Sequence, residues 1–196
     1  MWCNQKGSFL PKPSYTVYVF LPHLRKQKIS QMEKLKKIVI VDDDIDIITA
    51  VESILNAKGY NVLSANDKKE GLELIRNEKP DLAILDVMMT TQFEGFELAA
   101  EIVKDEALKD IPVIIQTSID VLTTTKPSVQ AMAREFRLKP EYSDLRVILV
   151  KDLVSGNAGV DYLNEHNETV WFPVNSFVRK PVDATVLIPE IEKLLS

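Results

Sequence analysis

The stretch Pro80-Asp-Leu-Ala-Ile-Leu-Asp-Val-Met-Met89 decides the fold of this chain. Residues 82–85 read as a short buried strand, and Asp86 places a carboxylate at its end. A second apolar strand, Lys37-Ile-Val-Ile-Val41, runs into Asp42-Asp43-Asp44. If the two are neighbours in a parallel sheet, three or four carboxylates converge on its C-terminal edge, where open α/β sheets bind ligands. Such acids repel one another unless a cation joins them. Mg2+ suits the set, because it takes oxygen ligands and completes its shell with waters and phosphate oxygens. The pattern points to phosphate chemistry.

Outward from these strands the chain alternates between apolar strands and amphipathic helices. Residues 45–58 place Ile47, Ile48, Val51, Ile54 and Leu55 at helical spacing, and Lys58-Gly59 stops that helix. A strand follows at residues 60–65. Asn66 or Asp67 caps the next helix, in which Gly71, Leu72, Leu74 and Ile75 face inward and which Pro80 ends. A third helix is predicted over 95–103, a fourth strand over 111–116 ending at Thr117-Ser118, a last strand over 177–181 and a last helix over 183–195. Repeated strand–helix units with right-handed crossovers imply a doubly wound parallel sheet with helices on both faces.

Residues 123–175 break this rhythm. They contain a helical stretch at 129–138, a strand-like Leu145-Arg-Val-Ile-Leu-Val150, and Asp161-Tyr-Leu ahead of Val170-Trp-Phe-Pro173. A structureless loop of that length is uncommon within a domain, so an ordered insertion is expected. Trp171 and Phe172 are read as its core rather than as a binding platform.

The whole chain carries a net charge of −5, yet residues 1–31 hold Lys6, Lys12, Arg25, Lys26 and Lys28 and no acid. They are expected to lie outside the fold, as a disordered extension or as sequence ahead of the true start, with residues 32–196 forming the domain. A basic arm for anionic partners is the alternative. The apolar patch Tyr15-Thr-Val-Tyr-Val-Phe-Leu21 within them reads as a strand or a surface-packed segment. No run approaches the roughly 18 apolar residues of a membrane span, and no signal peptide is evident. A cytoplasmic location is expected. Cys3 alone excludes an internal disulfide, and His23 and His166 beside it make no zinc site.

Successive strand ends thus present Asp42 and Asp43, then Asp86, then Thr117, then Lys180 followed by Pro181. Over residues 37–119 and 177–195 this set resembles the receiver domain of two-component response regulators. The resemblance implies a flavodoxin-like, five-stranded parallel sheet. It also implies a phosphoryl group taken from a kinase phosphohistidine onto Asp86, and Mg2+ held by Asp42, Asp43, Asp86 and the backbone carbonyl of Met88. Lys180 and Thr117 would contact the phosphoryl oxygens, and Phe177, three positions before the lysine, would switch rotamer together with Thr117. The implied partners are a sensor histidine kinase or phosphotransfer protein and a downstream protein, with no direct nucleic-acid or membrane contact. The final helix ends at Ser196, so output is expected to pass through a partner protein.

Two departures stand out. The loop Met89-Thr-Thr-Gln-Phe-Glu-Gly95 lacks the family's proline and carries one extra residue. Thr117 and Lys180 are 63 positions apart where a receiver uses a little over 20, so roughly 40 residues have been added, expected as a recognition element or a lid over Asp86. Two other readings remain open at this point. One is a Mg2+-dependent phosphohydrolase resembling the haloacid dehalogenases, with Asp42 as nucleophile; the other is a receiver-like interaction module that is never phosphorylated.

Overall fold

Strand β1 (Lys37–Val41) sends Ile38 and Ile40 to one face and Val39 and Val41 to the other, and all four side chains are buried. A strand covered on both faces belongs inside a layered α/β sheet. The computed structural model describes residues 35–196, with Gln92 and Pro127 excepted. The expected extension over 1–31 and its patch at 15–21 lie outside the described residues.

The remaining core elements follow in alternation: α1 (Ile45–Ala57), β2 (Asn61–Ala65), α2 (Lys68–Glu78), β3 (Leu82–Asp86), α3 (Glu94–Lys104) and β4 (Val113–Thr117). After a long excursion come β9 (Ser176–Arg179) and α5 (Ala184–Leu195). The five strands pair in the order β2-β1-β3-β4-β9, all parallel. This is the expected doubly wound, flavodoxin-like sheet. On one face Ile38, Ile40, Ile84, Ile114 and Val178 meet Ile48, Val51 and Leu55 of α1 and Leu187, Ile188 and Ile191 of α5. On the other, Val39, Val41, Leu85, Ile115 and Phe177 meet Ile75 of α2 and Phe96, Leu98 and Ile102 of α3. Asp67 caps α2 by accepting the Glu70 N–H at 2.8 Å, and Lys79 closes that helix in a left-handed conformation.

The excursion is a second sheet. It contains β5 (Val121–Thr124), α4 (Val129–Arg137), β6 (Val147–Asp152), β7 (Ala158–Leu163) and β8 (Thr169–Val174), with strand order β5-β6-β7-β8. β5 and β6 run parallel with α4 as their crossover, and the other pairs are antiparallel. The insertion therefore begins at Val121, two residues before the expected start, and its first strand is one that the sequence reading missed. Val121-Leu-Thr-Thr is too short and too polar to announce itself.

Adjacent residues of this sheet face opposite ways. Leu149, Val160, Tyr162, Phe172 and Val174 join the α2/α3 side of the main core, while Ile148 and Val150 meet Met132, Ala133 and Phe136 of α4. Phe172 is core, as expected, but Trp171 packs at the edge of the α4 cluster and stays half-buried. Its indole lies over Gly159, where an added Cβ would come within 2.1 Å of the ring. The inner face is thus spent on α3, which makes the insertion a packed layer.

Two polar ties return the chain to the main sheet. Asn175 donates its backbone N–H to Val113 at 3.0 Å and accepts the Val113 N–H on Oδ1 at 2.7 Å, clamping the start of β4. Ser176 donates its hydroxyl to Glu190 of α5 at 2.6 Å, and Lys151 of β6 donates to the same carboxylate at 3.3 Å. Burial would raise the Glu190 pKa, but the Ser176 hydroxyl and the Lys151 charge hold it below the ordinary carboxylate value.

Because Phe172 belongs to the shared core, Phe172→Ala should cost about 3–5 kcal/mol of stability. Urea unfolding should still give one transition covering both sheets. A separate, earlier transition of the insertion would show that the two layers do not share a core.

Candidate functional site

The β1–β3 register pairs Val41 with Leu85, so Asp42 and Asp86 follow as neighbours at the C-terminal edge. Both are buried, while Asp43 is exposed. One carboxylate oxygen from each of Asp42, Asp43 and Asp86 lies within 4.8 Å of the others. The β4–β9 register pairs Thr117 with Arg179, which brings the next residue, Lys180, to the same edge. Its ammonium donates to Asp42 at 2.8 Å and reaches Asp86 Oδ1 at 2.8 Å.

Four of the sequence-predicted residues therefore meet. Thr117 is buried at the end of β4, where its hydroxyl oxygen accepts the Ile119 N–H at 2.9 Å and its carbonyl accepts the Lys180 N–H at 2.9 Å. Met88 exposes its side chain between buried Val87 and Met89. Phe177 is buried in the core shared with the second sheet. Asp44 caps α1, accepting the Asp46 N–H at 2.9 Å at the start of that helix. Asp42 Oδ1 accepts the Asp44 N–H at 3.0 Å, which fixes the acidic turn.

Burial raises the Asp86 pKa; the Lys180 hydrogen bond opposes this, and the Asp42 charge adds to it. For Lys180, burial acts to lower the pKa but is outweighed by Asp42 and Asp86, which raise it. Lys180 thus bridges two buried carboxylates and offsets the effect of burial on Asp86. An all-oxygen donor set, with one acid open to solvent, fits a hard divalent cation that retains water.

Three features escaped the sequence reading. Gly95, at the start of α3, donates its N–H to Val87 at 3.2 Å, and a Cβ there would lie 1.7 Å from the Asp86 carbonyl oxygen. No larger residue fits. Gln116 pairs with Asp86 across β3–β4 and is buried, yet its side-chain nitrogen has no hydrogen-bond partner among the described residues. Arg179 pairs with Asp120 at 3.0 Å, across the turn that leads into β5. Only the glycine had a local signal, its place at the head of a helix.

Residues 38–150 match the response regulator receiver domain family. The chain belongs to that family, and the haloacid-dehalogenase reading falls with this match. Protein PilH of Pseudomonas aeruginosa is 30% identical over 122 residues, covering 62% of this chain and all of that protein. The probable transcriptional regulator ycf27 of Guillardia theta is 34% identical over 109 residues, which cover 56% of this chain and 41% of that protein. The chain thus spans only about two fifths of the length of that regulator and of several others like it. Among solved structures, chemotaxis protein CheY4 of Vibrio cholerae superposes with a TM-score of 0.53 at 20% identity, covering 83% of this chain and 100% of that one. A CheY-like receiver domain protein of Methanospirillum hungatei gives 0.52 at 25% identity, covering 83% and 94%. The matched family range stops at Val150, before the β9 strand that delivers Lys180. Receiver domains are signalling domains that generally bind Mg2+ at an acidic pocket, and Asp42, Asp43 and Asp86 form an acidic cluster at the strand edge of this chain. Among the described residues no helix is long and apolar enough to cross a membrane.

The raised Asp86 pKa has a sign that can be tested. The fold binds a proton at Asp86 more readily than the unfolded chain does, so ionising it costs stability. That cost grows as pH rises from the ordinary aspartate value and is complete above the raised one. In the absence of divalent cations, Asp86→Asn should therefore stabilise the protein at neutral pH by on the order of 1 kcal/mol. The gain should disappear in acid, where wild-type Asp86 is protonated. Thermal melts across pH check both.

Proposed function

We propose that this chain is a phosphoacceptor response regulator, in which residues 32–196 form the receiver and Asp86 takes a phosphoryl group from a histidine kinase or a phosphotransfer protein. The observation that carries the reading is the buried Asp86 carboxylate, bridged to Asp42 by Lys180 and close to Asp43 at the strand edge. An Asp86 oxygen attacks phosphorus in line as the P–N bond to the donor histidine breaks, and the product is an acyl phosphate. Asp42, Asp43, Asp86 and the Met88 carbonyl are the groups that would hold Mg2+. When bound, the ion neutralises charge building on the phosphoryl oxygens. Lys180 exchanges its bond with Asp86 for one to a phosphoryl oxygen, serving as a mobile point charge. The Thr117 hydroxyl donates to the same group, and buried Phe177 is placed to respond to its movement.

Output passes through a protein partner. The layer that replaces an ordinary crossover between β4 and β9 supplies a partner surface of its own.

Incubation with acetyl phosphate and Mg2+, read by intact mass, tests this proposal. Wild type should gain one phosphoryl group and Asp86→Asn none, while Asp43→Asn or a chelator should slow labelling by at least about tenfold. No label on folded wild type would leave an interaction module that is never phosphorylated.

A further inference from the structure

Residues 87–93 join Asp86 to α3 and include Met88. Phe93 precedes α3 and makes no side-chain capping bond. Its ring is engaged elsewhere. It stacks on Tyr162 at 5.8 Å with an interplanar angle of 27°, and the Arg146 guanidinium lies 5.0 Å from its centroid. Both partners belong to the insertion: Tyr162 lies in β7 and Arg146 directly precedes β6. Neither is loose. Tyr162 is buried and stacks on Phe96 at 5.6 Å, and Arg146 donates to the carbonyls of Leu163 and Asn164 at 3.2 and 3.0 Å.

Two residues beyond Phe93, Gly95 presses on the Asp86 carbonyl with no room for a methyl group. Thr91 donates its N–H to Glu94 at 3.3 Å, which closes the loop on the helix start. A shift at Phe93 therefore has little slack before it reaches the peptide of Asp86 itself. The loop also lacks a proline and so has no covalent restraint of its own. The restraint comes from the inserted sheet.

We propose that Phe93, held by Tyr162 and Arg146, is a positioning residue through which the inserted sheet sets the loop geometry that fixes Mg2+ affinity and acyl-phosphate lifetime at Asp86. The proposal rests on the phosphoacceptor reading above. Coupling of this kind is reciprocal, so a partner that displaces the sheet changes the pocket, and occupancy of the pocket changes the sheet.

The test uses the full chain with Phe93→Ala, Arg146→Ala and the double variant. Calorimetric Mg2+ titration without a phosphodonor gives the affinity, and intact mass after acetyl phosphate labelling gives the decay of the label. Each single variant should bind Mg2+ about two- to fivefold more weakly, the scale of one partly exposed ring–cation contact, and should shift the decay by a similar factor. The double variant should be no worse than the more affected single, because both act through one contact. Arg146 is exposed, so Arg146→Ala keeps the comparison meaningful if Phe93→Ala unfolds. Unchanged affinity and decay in folded variants would overturn the proposal. A wild type that binds Mg2+ but takes no label would overturn the phosphoacceptor reading instead, while the calorimetric comparison still decides the role of Phe93.

Discussion

The bridge from Lys180 to Asp42 and Asp86 is the constraint around which the fold is arranged. Two buried carboxylates on neighbouring strands are costly to ionise unless a cation is shared between them. That cation comes from the last strand of the sheet, so the pocket is complete only when β9 lies beside β4. Whatever is inserted between those strands must bring the chain back in register. Asn175, with two hydrogen bonds to Val113, meets that requirement in a single residue between β8 and β9.

The insertion satisfies it without weakening the core. Leu149, Val160, Tyr162, Phe172 and Val174 cover the α3 side that an ordinary crossover helix would have covered, and Phe93, Phe96, Tyr162 and Phe172 form a contiguous set of rings there. The outer face is closed by α4. An ion pair between half-buried Arg137 and buried Asp161 ties that helix to β7. The result is an added sheet with its own covering helix, seated on an otherwise regular doubly wound domain.

The main sheet was legible in the sequence because its signals are local. Four consecutive apolar residues ending in an acid mark β3, three- and four-residue spacings mark α1, and Asp44 and Asp67 sit at cap positions. The site was legible for a related reason: strand ends in a parallel sheet share one edge, so Asp42, Asp86, Thr117 and Lys180 could be brought together before any contact was known. The second sheet was less legible. Gly159 interrupts the apolar pattern of β7 because Trp171 needs the space above it, and Trp171 and Phe172, adjacent in sequence, belong to different cores. The contact of Gly95 with Asp86 and the seat of Phe93 depend on packing between distant elements, which periodicity does not encode. The apolar run of β6 marks a strand without saying which sheet it joins, and the family match ends within it while the fifth strand of the main sheet lies beyond.

The same geometry gives the proposed modification two routes into the insertion. An added phosphoryl group brings about −1.5 to −2 of charge to a pocket whose one lysine is already shared. Lys180 then has a stronger partner than either aspartate. Its backbone N–H is bonded to the Thr117 carbonyl, and its neighbour Arg179 is paired with Asp120, so rearrangement at Lys180 bears on the turn at 118–120 that leads into β5. The other route runs from Asp86 through Gly95 and Phe93 to Tyr162 and Arg146. Two routes from one charge, one to the edge strand β5 and the other to the inner strands β6 and β7, would move the insertion as a layer rather than loosen one strand of it. A packed layer with a shared core is suited to such a displacement, because its contacts resist continuous deformation and favour discrete alternatives.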